Sequence, residues 1–134
     1  MSHPRTELRA NVRAALSAAF PDVDWAKDYW RTITPKQLPR GGVGTPRTSH
    51  DWIDLDTKEA AVDLLVVLKR AGAADLEDLL DGDSEGLEAA VLPVLAEVSD
   101  DFDLTETRID ADPGGEETIG ELHMRFRVVL RAEI

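Results

Sequence analysis

The chain has 134 residues, no cysteine and a formal charge of -12 at pH 7, from 27 acidic against 15 basic side chains. One domain is expected at this length, without disulfides, thiol chemistry or cysteine-bound metal, and without the clustered Lys and Arg that general nucleic-acid binding needs against phosphate. No apolar run approaches the roughly 20 residues of a membrane span, and the N-terminus has no apolar core of a secretory signal, so a soluble intracellular product with no membrane partner is expected.

Arg5 to Ala19 is predicted helical, because Leu8, Val12, Ala15, Leu16 and Ala19 recur at helical spacing. Thr6 or Ser2 is placed to cap it and Phe20-Pro21 to end it. Arg5, Arg9 and Arg13, four apart, read as a solvated face. Trp25 to Ile33 holds Trp25, Tyr29 and Trp30 and is taken as the start of a sheet, although the spacing also allows a helical turn. Thr34 to His50 contains three prolines and three glycines, which predicts a loop without regular structure. Loops of this length tend to be functional or disordered, so about 34–50 is read as a mobile arm that orders on a partner. Its Lys36, Arg40 and Arg47 have no acidic neighbour within the segment and are the candidate inter-subunit or partner contacts.

Asp51 to Ala71 is ambiguous. Asp56 with Glu59 resembles a capping box and Gly72 a helix stop, whereas Val62, Leu64, Val66 and Leu68 alternate with a strand's period. Ala73 to Val98 is predicted helical, interrupted at Asp81-Gly82-Asp83 and kinked at Pro93. Phe102 to Asp110 reads as a strand and Asp112 to Glu116 as a turn. From Leu122 onward the apolar residues Leu122, Met124, Phe126, Val128, Leu130, Ala132 and Ile134 alternate with His123, Arg125, Arg127, Arg131 and Glu133, Val129 being the exception. Such a strand has one dry and one charged face and belongs to an antiparallel sheet covered on one side. The expected fold class is α+β: a mostly antiparallel sheet with two main helices on one face, a long Pro/Gly/Arg loop and a C-terminal β-hairpin.

No constellation argues for an enzyme. Asp110, Asp112, Gly115 and Glu121 match positions 1, 3, 6 and 12 of an EF-hand loop, but Pro113 intrudes and position 5 is Gly114. Asp81, Asp83, Glu85 and Gly86 match the start of such a loop, with Leu92 at position 12. A polar turn and an acidic helix break explain both. Ser49-His50-Asp51 has the residue types of a hydrolase triad as chain neighbours, whereas a triad converges from separated positions. Arg40-Gly-Gly-Val-Gly lacks the Gly-Lys-Ser/Thr ending of a P-loop. His3 and His123 have no evident metal partners, and no metal, cofactor or catalytic residue is expected.

The charge is unevenly spread. Residues 1–50 carry 8 basic and 4 acidic side chains, residues 51–121 carry 4 and 22, and residues 122–134 carry 3 and 1. A well-solvated acidic surface accounts for this, as does complementarity between copies, since charge steers and orients such contacts.

The order of segments resembles the tail terminator family of long-tailed phages and gene transfer agents, the lambda-type minor tail protein U group. The resemblance rests on the Ala/Arg-rich first helix ending in Phe20-Pro21-Asp22, the Pro/Arg/Gly stretch from Thr34 to Arg47, and Val62-Asp-Leu-Leu-Val-Val-Leu-Lys-Arg70. It continues through Asp75-Leu-Glu-Asp-Leu-Leu80 and Asp112-Pro-Gly-Gly-Glu-Glu117 to Met124-Arg-Phe-Arg-Val-Val129. It implies a strand at 58–71 and a non-enzymatic virion protein, assembled in the host cytoplasm and placed at the head-proximal end of the tail. There a homo-hexameric ring stops tube growth, touches the major tail tube protein and the head-completion or stopper protein, and lets DNA pass without specific binding. The alternatives are another head-tail joining or tail-completion protein, or a free acidic binding module such as a DNA mimic.

Overall fold

The computed structural model describes residues 4–26, 39–52, 57–72, 75–114 and 117–133. Its elements are α1 (Pro4–Ala19), β1 (Asp24–Trp25), β2 (Arg40–Trp52), β3 (Thr57–Gly72), α2 (Leu76–Val98), β4 (Phe102–Gly114) and β5 (Glu117–Glu133). The strands form one sheet in the order β1-β2-β3-β5-β4, antiparallel except for the short parallel pairing of β1 with β2. This is the expected α+β fold.

The C-terminal alternation sets the middle of the sheet. β5 pairs with β3 without a register shift from Thr57↔Glu133 to Gly72↔Thr118. On one face this stacks Val62 on Val128, Leu64 on Phe126, Val66 on Met124 and Leu68 on Leu122, all buried. Directly opposed apolar side chains of this kind are the unit of sheet stabilisation. Residues 57–71 of the ambiguous segment are thus a strand, 51–52 end β2, and 53–56 lie outside the described residues. The helix-like spacing yields to the partner that β5 provides.

Both helices lie on that dry face. α1 buries Leu8, Val12 and Leu16, and α2 buries Leu76, Leu80, Leu87, Val91 and Leu95 into the same core. α2 crosses the sheet where β5 carries Gly120. A Cβ there would lie 2.8 Å from Leu80 Cδ1 and 2.9 Å from Leu76 Cδ2, so the glycine permits the close approach.

Three expectations are corrected. First, residues 40–50 are a strand rather than part of an irregular loop. Gly41 faces the Trp25 ring and the Val67 carbonyl at distances no Cβ could share. Pro46 falls within the register shift between Gly44 and Arg47, where a residue without an N–H does not interrupt the ladder. The residues expected to break the strand fit a close ring contact and a bulge. Lys36 and the rest of 34–38, like 27–33 of the expected first strand, lie outside the described residues.

Second, α2 is one helix through Gly82 and Pro93. Asp83 does not end it but accepts hydrogen bonds from Arg70 Nε at 2.6 Å and Nη2 at 3.3 Å, tying α2 to β3. Burial opposes the Arg70 charge, but Asp83 and then Asp22 more than compensate and raise its pKa above the ordinary arginine value. Ser84 donates from its hydroxyl to the Asp81 carbonyl at 2.7 Å. Pro93 and Ala89, four residues before it, are both exposed, so the carbonyl deprived of a helical donor faces water.

Third, the arginines of α1 are not simply a solvated face. Arg5 donates to Thr48 Oγ1 at 3.0 Å and Arg9 to Thr45 Oγ1 at 2.6 Å, fastening the helix to β2.

Three substitutions test this packing. Phe126→Ala should cost about 3–5 kcal/mol in urea denaturation, because the ring is fully buried, whereas Arg127→Glu on the opposite face should cost less than about 1 kcal/mol. Gly120→Val should cost about 1–3 kcal/mol by forcing α2 off the sheet. Equal tolerance of all three would contradict the assigned faces.

Candidate functional site

Among the described residues no helix packs on the second face of the sheet, and period-2 alternation determines what that face shows. Across β2, β3, β5 and β4 one row reads Arg47, Asp63, Arg127, Asp103, a line of alternating charge set by the registers Arg47↔Asp63, Asp63↔Arg127 and Asp103↔Arg127. Asp63 gives its short contact to Arg125 Nη1, at 2.6 Å, and Arg127 Nη1 reaches Asp101 at 3.1 Å. Among the described residues Arg47 makes no ion pair. Arg47, Ser49, Asp63, Thr105, Arg125 and Arg127 line a shallow depression of ≈ 370 Å³. Of the three guanidiniums there, Arg125 is paired with Asp63 and Arg127 with Asp101, which leaves Arg47 as the one without an ion pair among the described residues.

The predicted contact residues separate in space. Arg47 lies in this depression. Arg40 does not: it opens β2, its side chain is largely buried, and it approaches Asp24 of β1 at 3.8 Å. It therefore pins the edge strand rather than presenting a rim charge. Arg125 and Arg127 are the residues missed as site candidates. Their signal was the same alternation that located the strand, which placed them on the charged face beside whatever strand carried Asp63.

The other motifs resolve into structure. Ser49, His50 and Asp51 are successive residues of β2 and point alternately to opposite faces, which no triad can use. Arg40-Gly-Gly-Val-Gly lies in a strand paired along its length with β3, and its first two residues pair with β1 as well, so it forms no phosphate-cradling loop. Asp81, Asp83 and Glu85 are helical. At the far end of the open face, Asp110 of β4 faces Glu121 of β5, and His123 Nε2 lies 3.3 Å from Glu121 Oε2, so His123 does have carboxylate neighbours. Partial burial would raise the Glu121 pKa, but His123 and Lys69 outweigh it and bring it below the ordinary 4.5.

Apolar residues on this face are shielded by the long charged ones. Leu65, Val67 and Val129 are buried although no helix covers them. Val129, the exception in the terminal alternation, is held beneath the α2–β4 connection, where its amide donates to the Asp101 carbonyl and its carbonyl accepts from Ser99 Oγ. No helix among the described residues is long and apolar enough to cross a membrane.

No family model matches the chain, and no curated protein matches it.

The arginine cluster predicts a salt-dependent stability. Asp63→Ala should destabilise the protein by about 1 kcal/mol at low salt through loss of the Arg125 pair and exposed arginine repulsion. The loss should shrink as salt shortens the Debye length from about 30 Å at 0.01 M to about 3 Å at 1 M. Urea midpoints at both salt concentrations check it.

Proposed function

We propose that the chain is a structural virion protein that assembles into a ring on the head-proximal end of a phage tail tube, ending tube growth and joining tail to head. The observation that carries this reading is that an arginine-lined depression and an acidic helix stripe lie on opposite sides of the subunit. The depression gathers Arg47, Arg125 and Arg127 beside Asp63, on a sheet face that also carries Asp103, Glu106, Asp110 and Glu121. The exposed stripe of α2 presents Asp78, Asp81 and Glu85 at helical spacing.

Two different, complementary surfaces on one subunit give a heterologous contact. Such contacts close into a ring or continue as a filament according to the rotation between neighbours. The order of elements, with a strand at Thr57–Gly72 and a terminal hairpin, agrees with the tail terminator resemblance. In this reading the partners are further copies of the chain, the tail tube protein and a head-completion protein, and DNA traverses the ring without specific contacts. No group in the depression is set up for bond-making.

Negative-stain microscopy of tail tubes polymerised with and without the protein tests the reading. Tubes grown with it should be shorter and carry a ring at one end only. The double variant Arg47→Ala/Arg127→Ala, which removes the charges without opposing carboxylate to carboxylate across the strands, should stay folded while decorating fewer ends. A strictly monomeric chain that leaves tube ends bare and tube length unchanged would overturn the proposal, and capture of a basic partner by that monomer would favour the acidic-mimic reading.

A further inference from the structure

Independently of any ring, we propose that Asp110, Glu121 and His123 form a three-ligand site for a divalent transition-metal ion of the zinc type, clipping β4 to β5. One ligand atom from each of the three side chains lies within 4.8 Å of the others. Strand geometry explains the convergence. Glu121 and His123 are two apart on β5 and so share the open face, and Asp110 is the direct cross-strand partner of Glu121.

The spacing fits a metal centre. Zinc–nitrogen and zinc–oxygen bonds of about 2.1 Å at tetrahedral angles place neighbouring ligand atoms about 3.4 Å apart. His123 Nε2 and Glu121 Oε2 are 3.3 Å apart. That separation matches one edge of such a tetrahedron, and a carboxylate oxygen of Asp110 lies within 4.8 Å of a ligand atom of each residue.

The neighbours support this arrangement. Lys69 Nζ lies 3.1 Å from Glu121 Oε1, and Arg108 Nε lies 3.0 Å from Asp110 Oδ2. Each carboxylate thus has one oxygen oriented by a cation and keeps the other, Oε2 or Oδ1, for a metal, the usual second layer around ligating carboxylates. An imidazole nitrogen in the set favours zinc-like ions over magnesium and calcium, which prefer oxygen. The fourth position opens to solvent, where water or a carboxylate of another molecule can complete it. The protein's net charge of -12 raises the local concentration of any cation.

The test is calorimetric titration of the full, metal-free chain with zinc chloride, with melting temperature followed in parallel. One zinc ion per chain should bind, the melting temperature should rise with zinc and fall back with chelator, and equimolar magnesium should not compete. His123→Ala and Asp110→Asn should each weaken zinc binding by at least about tenfold, while His50→Ala, in β2 across the sheet, should bind as the parent does. Asp110 is exposed, so Asp110→Asn is informative even where His123→Ala perturbs folding. The absence of zinc binding, or binding unchanged in both ligand variants, would overturn the site.

Discussion

The uninterrupted ladder between β3 and β5 is the constraint on which the rest of the molecule depends. It fixes which side chains of two long strands face the helices. A slip of one residue would move Leu64, Val66, Phe126 and Met124 together into water. Because this pairing has no bulge, the irregularities fall outside it, one between Gly44 and Arg47 on the β2 side and one between Leu104 and Glu106 on the β4 side. The helices follow from it as well. α2 lies close to the sheet over Gly120, and α1 is fastened to β2 by Arg5 and Arg9.

The same ladder generates the open face. If apolar residues hold the even positions of β5, charged ones hold the odd positions and line up with those of β2, β3 and β4. The charge row from Arg47 to Asp103 and the Asp110–Glu121–His123 group are two consequences of one register. A domain with acid on the outer stripe of α2 and an arginine-lined depression on the opposite sheet face offers two different surfaces. This links the fold to the proposed head-to-tail assembly, with charge contributing orientation and encounter rate more than affinity.

Much of this was legible in the chain. The alternation of Leu122 to Leu130 located the terminal strand and its faces, and the leucine spacings located both helices. What was not legible depended on partners distant in sequence. Gly41, Gly42, Gly44 and Pro46 look like loop residues until Trp25 and a bulge give them a role in a strand. Asp83 looks like a helix break until Arg70 supplies its counter-charge. The Asp51–Ala71 segment could not be decided locally because helix and strand patterns both ran through it, and only pairing with β5 selects the strand. Of the candidate contacts, Arg47 lies in the depression and Arg40 does not, and the burial of Arg40 beside β1 is a tertiary fact that its sequence neighbours do not announce. Arg125 and Arg127 could not be joined to Arg47 without the strand order.

The central claim is that the arginine face of one copy meets the acidic α2 stripe of the next, and a charge-swap experiment tests it most directly. One variant carries Arg47→Glu and Arg127→Glu, and a second carries Asp81→Lys and Glu85→Lys, so each alone sets like charge against like. Mixed in equal amounts, every contact in an alternating assembly is again between opposite charges. Co-sedimentation with tail tubes should show each variant impaired alone and the equimolar mixture restored towards the parent protein. A mixture as impaired as its components, or variants that each assemble like the parent, would contradict the account.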